Sequence, residues 1–293
     1  MKYGMIVLFV GLLLSGAAVG GVAQDYTSVA ALFEIGVGAR AMGMGNAFVG
    51  LADDEAATFY NPAGLAFLQG FGANSFFSSQ FGSFSYLSFC IATRNYGFTF
   101  LQIDSGMLEA LDEDGNPTGN FHYASRAGVF ALGFSPFGIR AVGIGTKVKL
   151  FQSSSYSTDG FGWSLSPAWL FNLGNFRLGF SLENLLAADV GFSNGHVEPW
   201  NRDLRLGGSF SWRNIRAAFG LENILARRGY NGELQGQLGF EAWFGFLGIR
   251  FGLDHNKFTL GTSTGWGHVR FDYAMALHPQ LPLTHRLALN VMF

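Results

Sequence analysis

Apolar and polar residues alternate along most of the chain after residue 70. In the segment 142–150, for example, the even positions are apolar or threonine, whereas Lys147 and Lys149 occupy odd positions. This period of two predicts β-strands with one apolar face, and it recurs in about fourteen segments. The segments are 71–80, 83–92, 95–104, 121–134, 137–151, 158–172, 174–183, 202–212, 214–222, 232–244, 246–254, 256–265, 267–277 and 284–293. The pattern predicts an all-β fold, a transmembrane antiparallel β-barrel.

The charged residues of these segments fall mostly on the face opposite the apolar residues. If the apolar face contacts lipid, the charged face lines the lumen, where a buried charge needs a partner of opposite sign. The candidate lumen charges are Arg177, Arg205, Arg216, Glu222, Arg250, Arg270 and Asp272. Such a lumen is more typical of a salt-bridged interior than of an open apolar conduit.

The composition favours the same fold. Charged residues make up 13% of the chain, whereas a water-exposed surface usually contains about 25–35%. After residue 23, the sequence contains no run of roughly 18 apolar residues that could form a spanning helix. In lipid, a closed barrel is the other structure that satisfies every backbone polar group.

The sequence contains no motif that indicates catalysis or a metal site. Its six histidines lack metal-ligand spacing, and no serine-hydrolase motif is present. The single cysteine, Cys90, cannot form an internal disulfide. The net charge of −2 gives no indication of a nucleic-acid partner. We therefore predict a protein that is not an enzyme and binds no metal or cofactor.

Both ends of the chain resemble targeting signals. Residues 1–23 contain a lysine, a short apolar core and small residues, which is the order of a cleaved secretory signal peptide. The apolar core is short for the alternative, a transmembrane anchor. The terminal Phe293 resembles the signal read by the barrel assembly machinery. We expect export to the outer membrane of a diderm bacterium, with membrane lipid and that machinery as partners.

The connections between segments alternate in length. Barrels of this kind have short periplasmic turns and longer outer loops, so we assign the longer connections to the cell exterior. They are Ser105–Asn120, Gln152–Ser157, Asn184–Asn201, Asn223–Asn231 and His278–Leu283. We expect 105–120 and 184–201 to meet a protein partner.

The stretch 36–65 is neither leader nor strand. It is rich in Gly and Ala, contains the acid pair Asp53 and Asp54, and closes on Asn61-Pro62. An Asn before a Pro favours a helix start, with the Asn as cap and the Pro at the first position. Buried acids need cations, so we expect the acid pair to meet lumen arginines. The candidate partners are Arg177, Arg205, Arg216 and Arg270.

This stretch also resembles the N-terminal signature of the PorV/PorQ family of outer-membrane proteins. The matching residues are Gly36, Gly38, Arg40, Gly43, Met44, Asp53, Asp54, Asn61, Pro62, Ala63, Gly64 and Leu65. Near the other end, 269–274 and 284–286 are similar to the family's closing motifs. The resemblance implies a FadL-like barrel of 14 strands with an N-terminal hatch inside the lumen. We therefore divide the chain into a signal peptide (1–23), a hatch or plug (24–70) and a barrel (71–293).

The resemblance also implies candidate hatch or gate residues and a function. The candidate gate residues are Arg40, Asp53, Asp54, Asn61, Pro62 and Gly64. Some family members act in type IX secretion by binding exported proteins, so the first prediction is a role in protein export or surface attachment, with secretion components as partners. The alternatives are a FadL-like channel for hydrophobic small molecules and a barrel that serves only as a structural element of the membrane.

Overall fold

The computed structural model describes residues 29–80, 84–112, 115–155, 158–225, 234–278 and 283–293. The predicted signal peptide, 1–23, lies outside the described residues. The strands are β1 Phe71–Gln80, β2 Phe84–Thr93, β3 Tyr96–Leu111, β4 Pro117–Phe134, β5 Val142–Ser155, β6 Thr158–Leu173, β7 Phe176–Glu183, β8 Leu186–Phe192, β9 Val197–Glu198, β10 Asp203–Trp212, β11 Ile215–Glu222, β12 Gln235–Phe244, β13 Leu247–Asp254, β14 Lys257–Trp266, β15 Val269–Leu277 and β16 Thr284–Met292.

These strands form a closed antiparallel barrel. Each barrel strand pairs with its neighbours in the chain, and the pairing of β1 with β16 closes the ring. Strands β8 and β9 form a separate hairpin that leaves fourteen strands in the barrel. All fourteen predicted segments correspond to barrel strands, because the alternation reports directly which face of each strand meets lipid.

Two of the segments predicted as long loops contain β-strands instead. β3 continues to Leu111 and β4 begins at Pro117, so most of 105–120 is strand. The segment 184–201 contains the β8–β9 hairpin. In both places the alternation is short and is interrupted by glycines and polar residues, so it does not stand out from a loop in the sequence. In the connection 152–157, the first four residues also belong to β5. Residues 226–231 of the predicted loop Asn223–Asn231 lie outside the described part.

Strand β6 changes its pairing partner at Pro167. Strand β6 pairs with β7 from Ala168 to Leu173 and with β8 from Gly160 to Leu165. Proline lacks a backbone N–H and cannot donate to a ladder, which fits a position where one neighbour is exchanged for another. The hairpin is thereby joined to the wall beside β6, and Trp200, which follows it, is buried.

The two ends of the barrel differ. At the short-turn end, strands are joined by 94–95, 135–141, 174–175, 213–214, 245–246 and 267–268. The opposite, long-loop end carries the β8–β9 hairpin and the connection 223–234. No helix in the described residues is long and apolar enough to cross a membrane.

Residues 29–70, called the hatch below, lie inside the barrel. They contain helices α1 (Val29–Glu34), α2 (Ala39–Gly43) and α3 (Ala57–Tyr60) and a 3₁₀ helix, Pro62–Phe67. Nearly every residue from 36 to 66 is buried. The backbone of the hatch contacts the wall directly, because the wall residues that face it are glycines.

Those contacts form a seam of glycines around the hatch. A Cβ added to Gly207 would lie 2.7 Å from the backbone nitrogen of Gly50. A Cβ added to Gly239 would lie 2.5 Å from the carbonyl oxygen of Met44. Any larger residue would push hatch and wall apart. The other wall glycines that a Cβ would bring against the hatch backbone are Gly133, Gly143, Gly145, Gly179, Gly252 and Gly261. At Gly72 and Gly97 a Cβ would instead meet the side chains of Glu55 and Thr58.

Candidate gate and lumen site

Arg40 of helix α2 is the centre of an ion network between hatch and wall. Its Nη1 lies 2.5 Å from Asp53 Oδ1 and 2.7 Å from Asp54 Oδ2. Its Nε and Nη2 each donate at 2.9 Å to the two carboxylate oxygens of Glu241 on β12. The side chain is buried. A bidentate pair of this geometry fixes both position and orientation.

The network continues around the wall. Glu241 also accepts from Arg216 at 3.0 Å and from Arg250 at 2.8 Å. Arg270 contacts Asp272 at 3.1 Å and reaches Asp54 at 3.9 Å. We call these eight residues the Arg40 network: Arg40, Arg216, Arg250, Arg270, Asp53, Asp54, Glu241 and Asp272.

Four cations and four carboxylates balance one another in this network. Burial disfavours a charged Arg40, but Asp53, Glu241 and Asp54 outweigh it and raise the pKa of Arg40 well above its ordinary value. Burial likewise opposes ionisation of Asp53, and Arg40 outweighs it and lowers the pKa of Asp53. The network therefore holds its charges as ion pairs.

Glu55 is a fifth carboxyl beside this balanced set. It is buried, and its Oε2 would lie 3.1 Å from a Cβ built on Gly72 at the start of β1. Burial, followed by the charge of Asp54, raises the pKa of Glu55 from 4.5 to about 8. The hatch thus contains a carboxyl that holds its proton near neutral pH.

Asn61 forms hydrogen bonds within the hatch and to the barrel wall. Its Oδ1 accepts from the backbone N–H of Ala63 at 3.1 Å and caps the 3₁₀ helix, in which Pro62 is the first residue. Its Nδ2 donates to Val49 O at 2.8 Å and to Trp169 O of β6 at 3.1 Å. Gly64 is packed against Ala52, where a Cβ would meet the carbonyl oxygen of that residue. These residues position the turn of the hatch.

The acid pair meets lumen arginines, as expected, and two of the four candidates are its partners. Asp53 lies 3.5 Å from Arg216, and Asp54 lies 3.9 Å from Arg270. Among the described residues, the other two candidates, Arg177 and Arg205, form no ion pair with either acid. Arg177 donates at 2.8 Å to the carbonyl oxygen of Leu51, so it contacts the hatch through the backbone.

Arg205 belongs to a second charged group on the wall. It lies 3.3 Å from Glu222 and 3.5 Å from Asp203. Nearby, Lys147 and Lys149 contact Glu183 at 2.8 and 2.5 Å. The lysines and Glu183 were all expected on the lumen face, but their pairing was not predicted. A pairing between β5 and β7 depends on barrel closure and leaves no local signal in the sequence.

An aromatic site, called the upper chamber below, lies at the long-loop end. It consists of Phe33, Phe151, Trp200 and Lys149. The Phe33 ring centroid lies 5.5 Å from that of Trp200 and 6.3 Å from that of Phe151. The ammonium of Lys149 lies 5.1 Å from the Phe33 centroid. Phe151 and Trp200 also contact each other, with centroids 6.2 Å apart, so the chamber is a cluster of three mutually packed rings beside a cation.

Helix α1 carries Phe33 into this chamber and is tethered beside it. The backbone N–H of Val29 donates at 2.6 Å to Glu198 of strand β9. No sequence motif marks the chamber, because its members come from the hatch, β5 and the connection after β9. Within the described residues, no group of three or more His, Cys, Asp or Glu could hold a metal ion.

Comparisons with solved structures agree with this architecture. The toluene transporter TbuX of Ralstonia pickettii superposes with a TM-score of 0.62 at 13% identity, over 88% of this chain and 98% of that one. The chain has a FadL-type barrel fold. A mutant of the monoaromatic hydrocarbon channel TodX gives 0.54 at 13% identity, over 87% and 96% of the two chains. A Pseudomonas aeruginosa FadL homologue gives 0.54 at 8% identity, over 88% and 98%.

At these identities the likeness establishes the fold alone. No protein-family model and no curated protein matches the sequence. Function therefore has to be argued from the hatch, the Arg40 network and the upper chamber.

Proposed function

We propose that the protein is a channel for small apolar molecules in the outer membrane, and that the hatch closes it. The upper chamber is the observation that carries this proposal. It packs the phenyl ring of Phe33 against both Trp200 and Phe151, and the volume and chemistry of that ring suit a small aromatic molecule. Withdrawal of helix α1 would free that volume at the long-loop end.

The hatch supplies the barrier that such a channel needs. Its buried backbone fills the barrel against the glycine seam, and the Arg40 network fixes it to strands β11, β12, β13 and β15. Opening requires that at least part of this contact be released. Arg40, Asp53, Asp54, Asn61, Pro62 and Gly64 are accordingly proposed as gate residues.

Two neighbours of the same fold support the choice of cargo. One is named as a toluene transporter and another as a monoaromatic hydrocarbon channel. An outer-membrane location, reached through a signal peptide at 1–23 and barrel assembly directed by Phe293, is part of the proposal. The paired lumen charges are not typical of an open apolar channel. In this proposal they belong to the closed state of the gate.

The PorV/PorQ resemblance of the hatch keeps protein export or surface attachment as the second candidate. The segment 184–201, expected to meet a partner, folds instead as the β8–β9 hairpin with the buried Trp200 after it. Most of this segment is nevertheless exposed, so the hairpin keeps a surface that an exported protein could contact. Transport is placed first because the upper chamber suits a small aromatic molecule, which reverses the order of the two predictions.

The test is entry of radiolabelled toluene into cells of a diderm bacterium that lacks its own FadL-type barrels. Phe33→Ala vacates the chamber and should raise the initial rate. Trp200→Ala removes one wall of the site and should lower it. Trp266→Ala is the matched control, because this indole lies outside the barrel and is 93% exposed.

Wild type and the three variants are first compared by heat-modifiable migration on gels, so that only folded protein is scored. Rates that do not exceed those of cells without the barrel, in wild type and in Phe33→Ala alike, would refute the channel. Recovery of the same exported protein with wild type and all three variants, without toluene entry, would support export instead.

A further inference from the structure

The short-turn end of the barrel carries a surface that suits an anionic lipid. All six turns at this end are described, and none contains Asp or Glu. They contain three arginines, Arg94, Arg140 and Arg213, and His268, and all four are exposed. Turns that carry cations and no acidic side chains attract phosphate.

Two of these arginines lie on neighbouring turns. Arg94 is in the β2–β3 turn, and Arg140 is in the β4–β5 connection. The first turn is hydrogen-bonded to the end of β4, because Asn95 O accepts from Gly133 N at 2.9 Å and Asn95 Nδ2 donates to Gly133 O at 2.5 Å. Within the described part of the chain, neither guanidinium has a hydrogen bond or ion pair. Both therefore remain available to a ligand.

The outer wall directly beside these arginines is aromatic. Phe98 of β3 and Phe130 of β4 are cross-strand partners with ring centroids 4.8 Å apart. Tyr96 and Phe134, nearer the turns, are exposed on the same outer wall. Aromatic residues of this kind mark the level at which hydrocarbon meets headgroup. The two arginines thus lie where the phosphate of a lipid would be found.

Phe137 extends this surface beyond the strand ends. It is fully exposed, and its backbone lies in the left-handed region with φ 52° and ψ 23°. A phenyl ring held outward in such a conformation is costly in water. Contact with lipid at the membrane surface would remove that cost, whereas a free phosphate ion would not.

We propose that Arg94 and Arg140 bind the phosphate of an anionic phospholipid whose acyl chains lie on Phe98, Phe130 and Phe134. The aromatic wall favours lipid over an acidic protein segment, since such a segment would leave the rings beside the arginines uncovered. This lipid site is independent of the proposed transport function and uses none of its residues.

The test is native mass spectrometry of the detergent-solubilised barrel with phosphatidylglycerol or phosphatidylcholine. Wild type should retain phosphatidylglycerol preferentially. The Arg94→Gln/Arg140→Gln protein should lose about fivefold in affinity for each arginine removed. The matched control is Arg126→Gln/Arg202→Gln, which removes two exposed arginines outside the short-turn rim.

Three results would overturn the proposal. Both double variants could lose the preference equally, which would mean a general charge effect, or neither could lose it. Inorganic phosphate or a polyglutamate peptide could displace the lipid at equal concentration, which would reassign the arginines to a free anion or to a protein. Phe137→Ser provides an independent test. It should weaken the binding of both lipids, because it removes apolar contact without changing charge.

Discussion

Arg40 and Glu241, which are 201 positions apart in sequence, form a bidentate ion pair with both N–O distances at 2.9 Å. One residue belongs to the hatch and the other to strand β12 of the wall. The pair is buried, so water stabilises its two charges little and each charge is stabilised mainly by the other. It is the strongest single link that joins the hatch to the barrel.

Breaking this pair should loosen the hatch. Arg40→Gln leaves three buried carboxylates without their shared cation, and we expect a loss of about 3–5 kcal/mol in stability. Single-channel conductance in planar bilayers should rise in parallel. Arg177→Gln removes a lumen arginine that donates only to a backbone carbonyl and should cost about 1–3 kcal/mol.

A double-mutant cycle with Glu241→Gln separates the pair from the rest of the network. If the interaction is direct, the double variant should lose less than the sum of the two single losses. Additive losses, with conductance as low as in wild type, would show that Arg40 does not hold the hatch through Glu241.

The glycine seam should be intolerant of side chains. Gly207→Val introduces atoms against Gly50 and should cost about 1–3 kcal/mol, with a raised conductance as the hatch is displaced. Gly236→Val is the control, because no atom lies within 4 Å of a Cβ at that position. Denaturant titration in micelles measures the first effect. Equal stability of the two variants would contradict direct contact between hatch and wall.

Asn61 should contribute more than a helix cap. Asn61→Ser keeps an oxygen acceptor for Ala63 but loses the donors to Val49 and Trp169. Asn61→Ala loses all three bonds, and the cap alone should account for about 1 kcal/mol. We expect stability to fall in the order wild type, Ser, Ala. If Ser equals wild type in denaturant titration, the link to the wall has no energetic role.

The gate should weaken as pH rises. Burial raises the pKa of Glu55 from 4.5 to about 8, so the folded hatch holds a proton that the released segment would give up. Its contribution is fully present below about pH 4.5 and is lost as the pH rises through about 8. Bilayer conductance should increase over this interval. Glu55→Gln should flatten the profile, whereas an unchanged profile would assign the pH response to another group.

The sequence was informative wherever the signal was local. Period-two alternation identified all fourteen barrel strands, and it placed Lys147 and Lys149 on the lumen face, where both are buried. It failed for the upper parts of β3 and β4 and for the β8–β9 hairpin. Those strands are held by backbone ladders, and their runs of alternating apolar residues are too short or too interrupted for the pattern to report.

The site was harder to predict than the fold. The expectation that acids would meet lumen arginines succeeded for Arg216 and Arg270 and failed for Arg177 and Arg205. All four carry inward charge, but their height and position around the wall follow from strand register across the closed barrel. For the same reason, the upper chamber joins residues with no common motif.

The threading of the N-terminal segment sets the order in which the molecule can be assembled. Residues at the start of the described chain touch Glu198, and the hatch is enclosed by strands that are synthesised last, since β1 pairs with β16. The hatch segment, which is synthesised before the barrel strands, is therefore enclosed only after the final strand has paired with β1. Closure of the barrel and enclosure of the hatch therefore occur in the same step. A chain that ends before β16 would contain the hatch segment but no closed barrel around it.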